Sequence, residues 1–331
     1  INEKGQSFLA PFPSKVKKPV QYGDGVKAHI VYLSQYQLLP YNRIQEYFAD
    51  QLQMPLSEGS IYNFNQQAYE QLADFEKISQ DKLAAVACLH ADETGINING
   101  KRHWLHSASN DQWIHFFPHA KRGTEAMNEI GILPRYYGIL CHDHWKPYYK
   151  YDCQHALCNA HHLRELTRVW EQDKQAWGLE MKQLLEKMNN AVNNAGGVLS
   201  DVEAESWKKQ YRTLLAKAEI ECPPPDKPDK AKRGRVPRSK ARNLLERLLN
   251  FEEDVLRFLT NEEVPFTNNA AENAIRMTKV HQKISGCFRS MDGAKIFCRV
   301  RGYLATCRKQ GMSATQAMSL VFEEKLPEFA L

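Results

Sequence analysis

A chain of 331 residues with 43% hydrophobic and 25% charged side chains can bury an ordinary core and is long enough for two or three domains. It holds no run of eighteen or more apolar residues, and the opening Ile1-Asn2-Glu3-Lys4 lacks a secretory pattern, which argues against membrane insertion or export and for a cytoplasmic globular protein. The net charge is only +5, yet residues 223–247 carry nine Lys/Arg against three acids and residues 276–309 nine against one, so these stretches sum to +14 and the rest to −9. That asymmetry points to a polyanion such as nucleic acid, against the plainer alternative of solvated basic surface.

Residues 1–25, dotted with Pro11, Pro13 and Pro19 and without helical period, read as an extended arm or linker. Because the sequence opens on Ile rather than Met, a fragment or processed chain with an upstream domain missing stays open. Over residues 26–83, apolar side chains recur at helical spacing: Ile30, Leu33 and Tyr36, then Ile44, Tyr47, Phe48 and Leu52, then Ile61, Phe64 and Leu72. This predicts three helices, the second opened by Pro40 and the third by Ser57-Glu58. The break at Met54-Pro55-Leu56-Ser57 gives a helix-turn-helix outline. Residues 27–80, however, hold Lys27, Arg43 and Lys77 against six acids, which favours a structural bundle over a reader of the major groove.

From residue 84 the period changes. Ala85–His90 is an apolar strand ending on Asp92-Glu93, Asn99-Gly100 marks a hairpin turn, and return strands follow at His103–Ala108 and Trp113–Phe117. An amphipathic helix at Thr124–Ile130 leads to a fourth strand, Tyr137–Cys141, ending on His142-Asp143-His144. Three antiparallel strands, a helix and a further strand is the order of a ribonuclease-H-like core. Residues 154–218 read as helix-rich, and Pro223-Pro224-Pro225 with the basic run to Arg242 as an extended loop whose Lys232, Arg233 and Arg235 would track a phosphate backbone. A helix over about Lys240–Leu259 precedes one capped by Thr267 or Asn268 that carries Glu272, Ile275 and Lys279 along one side. Beyond it, Arg276, Lys283, Arg289, Arg299, Arg301, Arg308 and Lys309 are expected to supply phosphate contacts. Phe288 is expected in the core, with stacking on an unpaired base as the alternative. Gly311 ends the last basic helix, and Thr315–Glu324 is a packing helix.

Two acids after apolar strands and a third on a late helix add nothing to stability unless a cation sits among them, and a divalent pair is the natural occupant. Asp92, Asp143 and Glu272 supply the minimum hard-oxygen set for two Mg²⁺ or Mn²⁺ ions. A single Asp at a strand end is ordinarily a turn or cap residue; only the constellation points further. The cysteines are irregularly spaced in a chain too long to need disulfide staples, so reduced thiols are expected. Cys141, Cys153, Cys158, His161 and His162 are dense enough to raise a structural zinc, but the spacing is poor for one.

The segments Asp92-Glu93-Thr94-Gly95, Lys101–His106, Gly138–Tyr148, Cys158–Leu166 and Asn268–Arg276 resemble the core of the insertion sequence 66 family of bacterial transposases, from about Pro13 to the C-terminus. The resemblance implies a DDE-type, ribonuclease-H-like catalytic core with Asp92, Asp143 and Glu272 as metal ligands, and DNA cleavage and strand transfer at transposon ends. Lys279, seven positions after Glu272, matches a basic residue that contacts DNA near the scissile phosphate. Cys158 and His161 match a Cys-x-x-His pair beside the active site; a buried thiol with a helix-cap histidine is the plain alternative. Because 128 residues separate Asp143 from Glu272, the resemblance implies a helical insertion at 165–262, with the basic Pro-rich loop 223–242 inside it. It thus implies an α/β (α+β) fold. An N-terminal helical domain at 26–83 precedes a mixed-sheet core, flanked by helices, that begins at 84–164 and is completed by 263–331. Implied partners are transposon-end and target DNA, a homo-oligomer on DNA and accessory proteins, with nucleoid association when DNA is bound. An upstream Cys-rich, zinc-binding segment and helical leader common in the family are not part of this sequence. Open alternatives are a hydrolytic nuclease on the same fold and a non-catalytic DNA-binding remnant of a transposon.

Overall fold

The computed structural model describes Gly5, residues 21–225 and residues 237–331, so Lys232, Arg233, Arg235 and most of the N-terminal arm lie outside the described residues. Between residues 24 and 84 the helical spacing folds as four α-helices rather than three. These are α1 (Asp24–Val31), followed by a π-helical turn at Tyr32–Tyr36, α2 (Tyr41–Leu52), α3 (Glu58–Gln71) and α4 (Ala73–Ala84). Pro40 stands at the start of α2, and Ser57 Oγ caps α3 by accepting from Ser60 N at 3.0 Å. Ile30, Leu33, Ile44, Phe48, Leu56 and Ile61 form their shared core.

The sheet begins with β1 (Cys88–Ile98), which turns through Asn99-Gly100 into β2 (Lys101–Ser109) and on to β3 (Ile114–His119). Asn99 and Gly100 both take left-handed backbone, φ 48° and 78°, the conformation a two-residue hairpin with matching twist demands. After α5 (Thr124–Ile130), β4 (Ile139–His142) lies parallel to β1 and β5 (Gln154–Leu157) parallel to β4, giving the order β3-β2-β1-β4-β5. Two expectations need correction here. β1 does not end before Asp92 but runs through it, because Asp92 and Glu93 are paired with Ser107 and His106 of β2. β5 is a strand inside a stretch expected to be helical; with four residues it is too short to show a period.

Beyond β5 come α6 (Asn159–Glu171), α7 (Ala176–Asn194), α8 (Asp201–Glu221), α9 (Lys240–Asn250) and α10 (Glu252–Leu256). Their apolar stripes, with Trp177, Met181, Leu185, Tyr211 and Leu245 fully buried, close one core together with Cys141 and Leu157 of the sheet. The chain then returns in α11 (Asn269–Ser285), α12 (Met291–Lys309) and α13 (Ala314–Phe322).

The period-two alternation of β1 decides what lies on each side of the sheet. Leu89 and Ala91 join a core with Tyr303, Leu304 and Met318 of α12 and α13, whereas Ile96 and Ile98 meet Ile275 of α11 and Phe297 of α12. Asp92 shares the parity of Ile96, which puts it on the α11 side. Phe288 is a core residue: it is 4% exposed and stacks on His281 with ring centroids 4.4 Å apart. Two of the basic residues expected to meet phosphate are structural instead. Arg299 donates to Glu76 and to the Tyr69 carbonyl, both at 2.8 Å, and half-buried Arg301 donates to the Tyr36 carbonyl at 3.0 Å.

Gly138, just before β4, is a point of close approach. A Cβ there would stand 2.5 Å from Tyr136 Oη and 2.7 Å from the Ala87 carbonyl oxygen, both fixed by their own packing. Gly138→Ala should therefore lower stability by about 1–3 kcal/mol, read as a reduced urea midpoint at unchanged slope. A wild-type midpoint would show that this approach is not tight.

Candidate active site

Asp92 enters the site from the middle of β1 and Asp143 from the first position after β4, the strand hydrogen-bonded alongside it. Each carboxylate is fixed by a local backbone bond. Asp92 Oδ1 accepts from Glu93 N at 2.8 Å, and Asp143 Oδ1 accepts from Trp145 N at 3.0 Å. His144 takes a left-handed φ of 72°, uncommon for a residue with a side chain and therefore a mark of a turn held by its surroundings. The hold is a pair of neutral imidazoles. His142 Nδ1 accepts from His144 N at 3.1 Å, which leaves His142 Nε2 to donate to His155 Nδ1 at 3.1 Å. Burial pushes both rings below the usual histidine range, to about 4 for His155, so neither carries charge near neutrality.

Among the described residues neither Asp92 nor Asp143 has a Lys, Arg or His nitrogen within 4.0 Å. Burial, then the adjacent Glu93 and the charges of Asp143 and Glu272, push the Asp92 carboxyl up to about 7. Glu93 points to the other side of the sheet and is cross-linked there. Arg122 Nε donates to its Oε1 at 2.8 Å and Tyr148 Oη to its Oε2 at 2.6 Å, which ties β1 to the turn that follows Asp143. Burial still raises the Glu93 carboxyl above its ordinary value.

Glu272 lies one turn into α11, and that turn is anchored by Asn268. Asn268 occupies the N-cap position, but its side chain does not cap the helix as expected. It is 2% exposed and reaches across to β1, where Nδ2 donates to the Ala91 carbonyl at 3.0 Å and Oδ1 accepts from His90 Nδ1 at 2.6 Å. The Asn268 backbone N–H donates to Cys158 Sγ at 3.1 Å. Cys158 is thus a buried thiol that receives a helix end, and burial raises it further above the ordinary thiol range. The Glu272 carboxylate accepts from Arg164 Nη2 at 2.9 Å and lies 3.7 Å from His161 Nδ1.

Cys158, His161 and Glu272 are, among the described residues, the one set of three potential metal ligands whose donor atoms all lie within 4.8 Å of one another. Asp92 and Asp143 are not part of it. The structure thus brings the Cys-x-x-His pair onto Glu272, and Glu272 close enough to Asp92 to raise its carboxyl, with the Glu272 charge partnered by Arg164.

The basic residues of α11 and of the turn after it divide by surroundings. Arg276 and Lys283 are exposed, and Arg289, 92% exposed, has Glu58 at 3.9 Å. Lys279 donates from Nζ to the Gly95 carbonyl at 2.7 Å, and burial together with nearby Arg102 lowers its ammonium below the usual lysine range. Sequence reasoning read Asn268 only as a cap and gave no site role to Glu93, Arg164, Arg102, Trp104 or Arg122. For Glu93 and Asn268 the signal was adjacency to a residue already singled out. Arg164 meets Glu272 only when α6 and α11 are brought together, and the remaining three meet only through the strand pairing.

Two outcomes test this description. Asn268→Ala would leave His90 Nδ1 and the Ala91 carbonyl buried without partners, a cost of about 1–3 kcal/mol for each group, so its denaturant midpoint should fall clearly; a wild-type midpoint would remove Asn268 as the anchor of α11. The raised carboxyl of Asp92 means that the folded, metal-free protein binds the proton more tightly than the unfolded chain. Its contribution to stability is full below about pH 4 and is lost as pH rises to about 7. Metal-free Asp92→Asn should therefore be more stable than wild type at pH 8, with the difference shrinking toward pH 4 in parallel urea titrations; a constant difference would refute the shift.

A family model described as "Transposase IS66 family" matches residues 19–296. The match ends within α12, short of the C-terminus to which the sequence resemblance was taken to run. An uncharacterized protein, y4jO, of Sinorhizobium fredii (strain NBRC 101917 / NGR234) is 36% identical over 70 residues, 21% of this chain and 22% of that protein. The chain therefore covers about a fifth of the length of this curated relative. No helix among the described residues is long and apolar enough to cross a membrane. The mixed five-stranded sheet agrees with the α+β expectation, and with a family match over most of its length this chain belongs to the IS66 family of transposases.

Proposed function

We propose that this chain catalyses divalent-metal-dependent cleavage of DNA and transfer of the cut strand at insertion-sequence ends, with Asp92, Asp143 and Glu272 as the metal-binding carboxylates. The observation that carries this reading is the uncompensated acid pair. Asp92 and Asp143 lie on adjacent strands with no cationic side chain within 4.0 Å among the described residues, and the Asp92 carboxyl is driven up to about 7. Half-buried like charges without a partner cost stability unless a cation neutralises them, and a hard-oxygen set suits Mg²⁺ or Mn²⁺. When bound, two such ions would activate the attacking oxygen and neutralise the leaving oxygen of a phosphodiester.

The chain's own residues set the geometry for that chemistry. β1 and β4 give the two aspartates a rigid frame, the His142–His155 bond holds the turn after Asp143, and Asn268 fixes where α11 delivers Glu272. Arg164 neutralises Glu272 in the arrangement described, so a site that uses all three carboxylates exchanges that partner for a metal. Lys279, two turns beyond Glu272, and exposed Arg276 and Lys283 offer cations to the DNA backbone along the same helix. Joining two ends implies at least two copies assembled on DNA.

In an assay with end-containing duplex and Mg²⁺, Asp92→Asn, Asp143→Asn and Glu272→Gln should each reduce cleavage to the metal-free background while DNA binding persists. Cleavage retained by one variant removes that residue from the site. Wild-type cleavage without a joined product would identify a hydrolytic nuclease, and binding without cleavage a non-catalytic DNA-binding protein.

A further inference from the structure

On the Glu93 side of β1 lies a polar groove of about 620 Å³, lined among others by Gly95, Arg102, Trp104, Arg122 and Lys279. Glu93, the residue after Asp92, is part of its lining. Arg102, from β2, lies so close over β1 that a Cβ on Gly95 would stand 3.2 Å from its Nε. Lys279 reaches the same residue from α11, its Nζ 2.7 Å from the Gly95 carbonyl. Two cations therefore converge on one glycine from two elements. Among the described residues neither has a carboxylate within 4.0 Å.

Aromatic rings continue the groove. The Arg102 guanidinium lies 4.9 Å from the Trp104 ring centroid, and Arg122 lies 4.8 Å from Trp104 and 4.2 Å from Trp145. Arg122 is committed to Glu93, so it serves as a fixed rung that orients the tryptophans. Arg102 and Lys279 are exposed and have charge to spare. Repelling cations held together over Gly95 make an anion site, and cations beside half-buried tryptophan are what an unpaired nucleic-acid strand binds: phosphates on the charges, bases against the rings.

We propose that this groove holds the single-stranded DNA adjoining the scissile phosphate, with Arg102 joining Lys279, already expected at DNA, as a second phosphate ligand and Trp104 as the aromatic wall. The proposal rests on the reading of Asp92, Asp143 and Glu272 as the cleavage site, on the other side of β1: the strand would pass from groove to carboxylates over β1 at Gly95, beyond its pairing with β4, where Lys279 arrives from α11. It also bears on Gly95: a Cβ there would crowd the Arg102 guanidinium and shift it where it lies over β1.

The test is binding of a short fluorescein-labelled single-stranded oligonucleotide, in EDTA, over a range of salt concentrations. Each phosphate contact on a single strand contributes about 0.7 to the slope of log affinity against log salt, so Arg102→Gln with Lys279→Gln should reduce the slope by about 1.4. Arg102→Lys, which keeps the charge, should keep the slope contributed at that position. An unchanged slope in a folded double variant overturns the groove as a strand site, and an equal loss on a blunt duplex overturns its assignment to an unpaired strand. Failure of the cleavage reading is distinguishable: wild type would not cut DNA with Mg²⁺, while strand binding would still depend on Arg102 and Lys279.

Discussion

Acidic charge is crowded into the centre of this protein, and the way it is or is not compensated organises the surrounding structure. Asp92, Glu93, Asp143 and Glu272 come from three elements. Two of them have cations: Glu93 has Arg122, and Glu272 has Arg164. The aspartates have none among the described residues, and burial, with the charges of Glu93, Asp143 and Glu272, raises the Asp92 carboxyl to about 7. A fold shaped only for stability would pair or neutralise such groups. Keeping them bare is intelligible if a cation arrives later.

The frame around those acids is built to resist their repulsion. β1 passes through the site without ending there, and its alternation puts Asp92 toward α11 and Glu93 toward Tyr148. Asn268 joins β1, the His90 ring and the start of α11, so the distance from strand to Glu272 is set by buried hydrogen bonds rather than by the loop before it. Cys158 and His161 also act on this junction, the thiol by receiving the Asn268 N–H and the imidazole by standing beside Glu272. The helical insertion of α6 to α10 shares its core with β4 and β5, which braces the Asp143 side of the site.

Much of this could be read from residue order. The Asn99-Gly100 turn, the helix at Thr124–Ile130 and the strand before Asp143 have strong local signatures, and they place Asp92 and Asp143 on one sheet. What escaped was whatever depends on partners far apart in sequence. β1 was expected to stop at Asp92 because an acid interrupts an apolar run, yet pairing with β2 carries the strand to Ile98. β5 owes its existence to β4 beside it. Asn268 looked like a cap because of its position, and Arg299 and Arg301 like phosphate ligands because of their charge. Each is used instead by a residue more than a hundred positions away. The Arg102, Trp104 and Arg122 contacts had no sequence signal at all, since cation and ring meet only after the strands are in register.

Metal binding tests the central claim most directly, and Mn²⁺ can be followed by electron paramagnetic resonance in the absence of DNA. Titrated near pH 8, the wild-type protein should bind Mn²⁺, and Asp92→Asn and Asp143→Asn should lose that binding, while Cys158→Ala and Arg102→Gln retain it. No binding by wild type, or binding that survives loss of both aspartates and disappears with Cys158 or His161, would place the metal elsewhere and contradict the account.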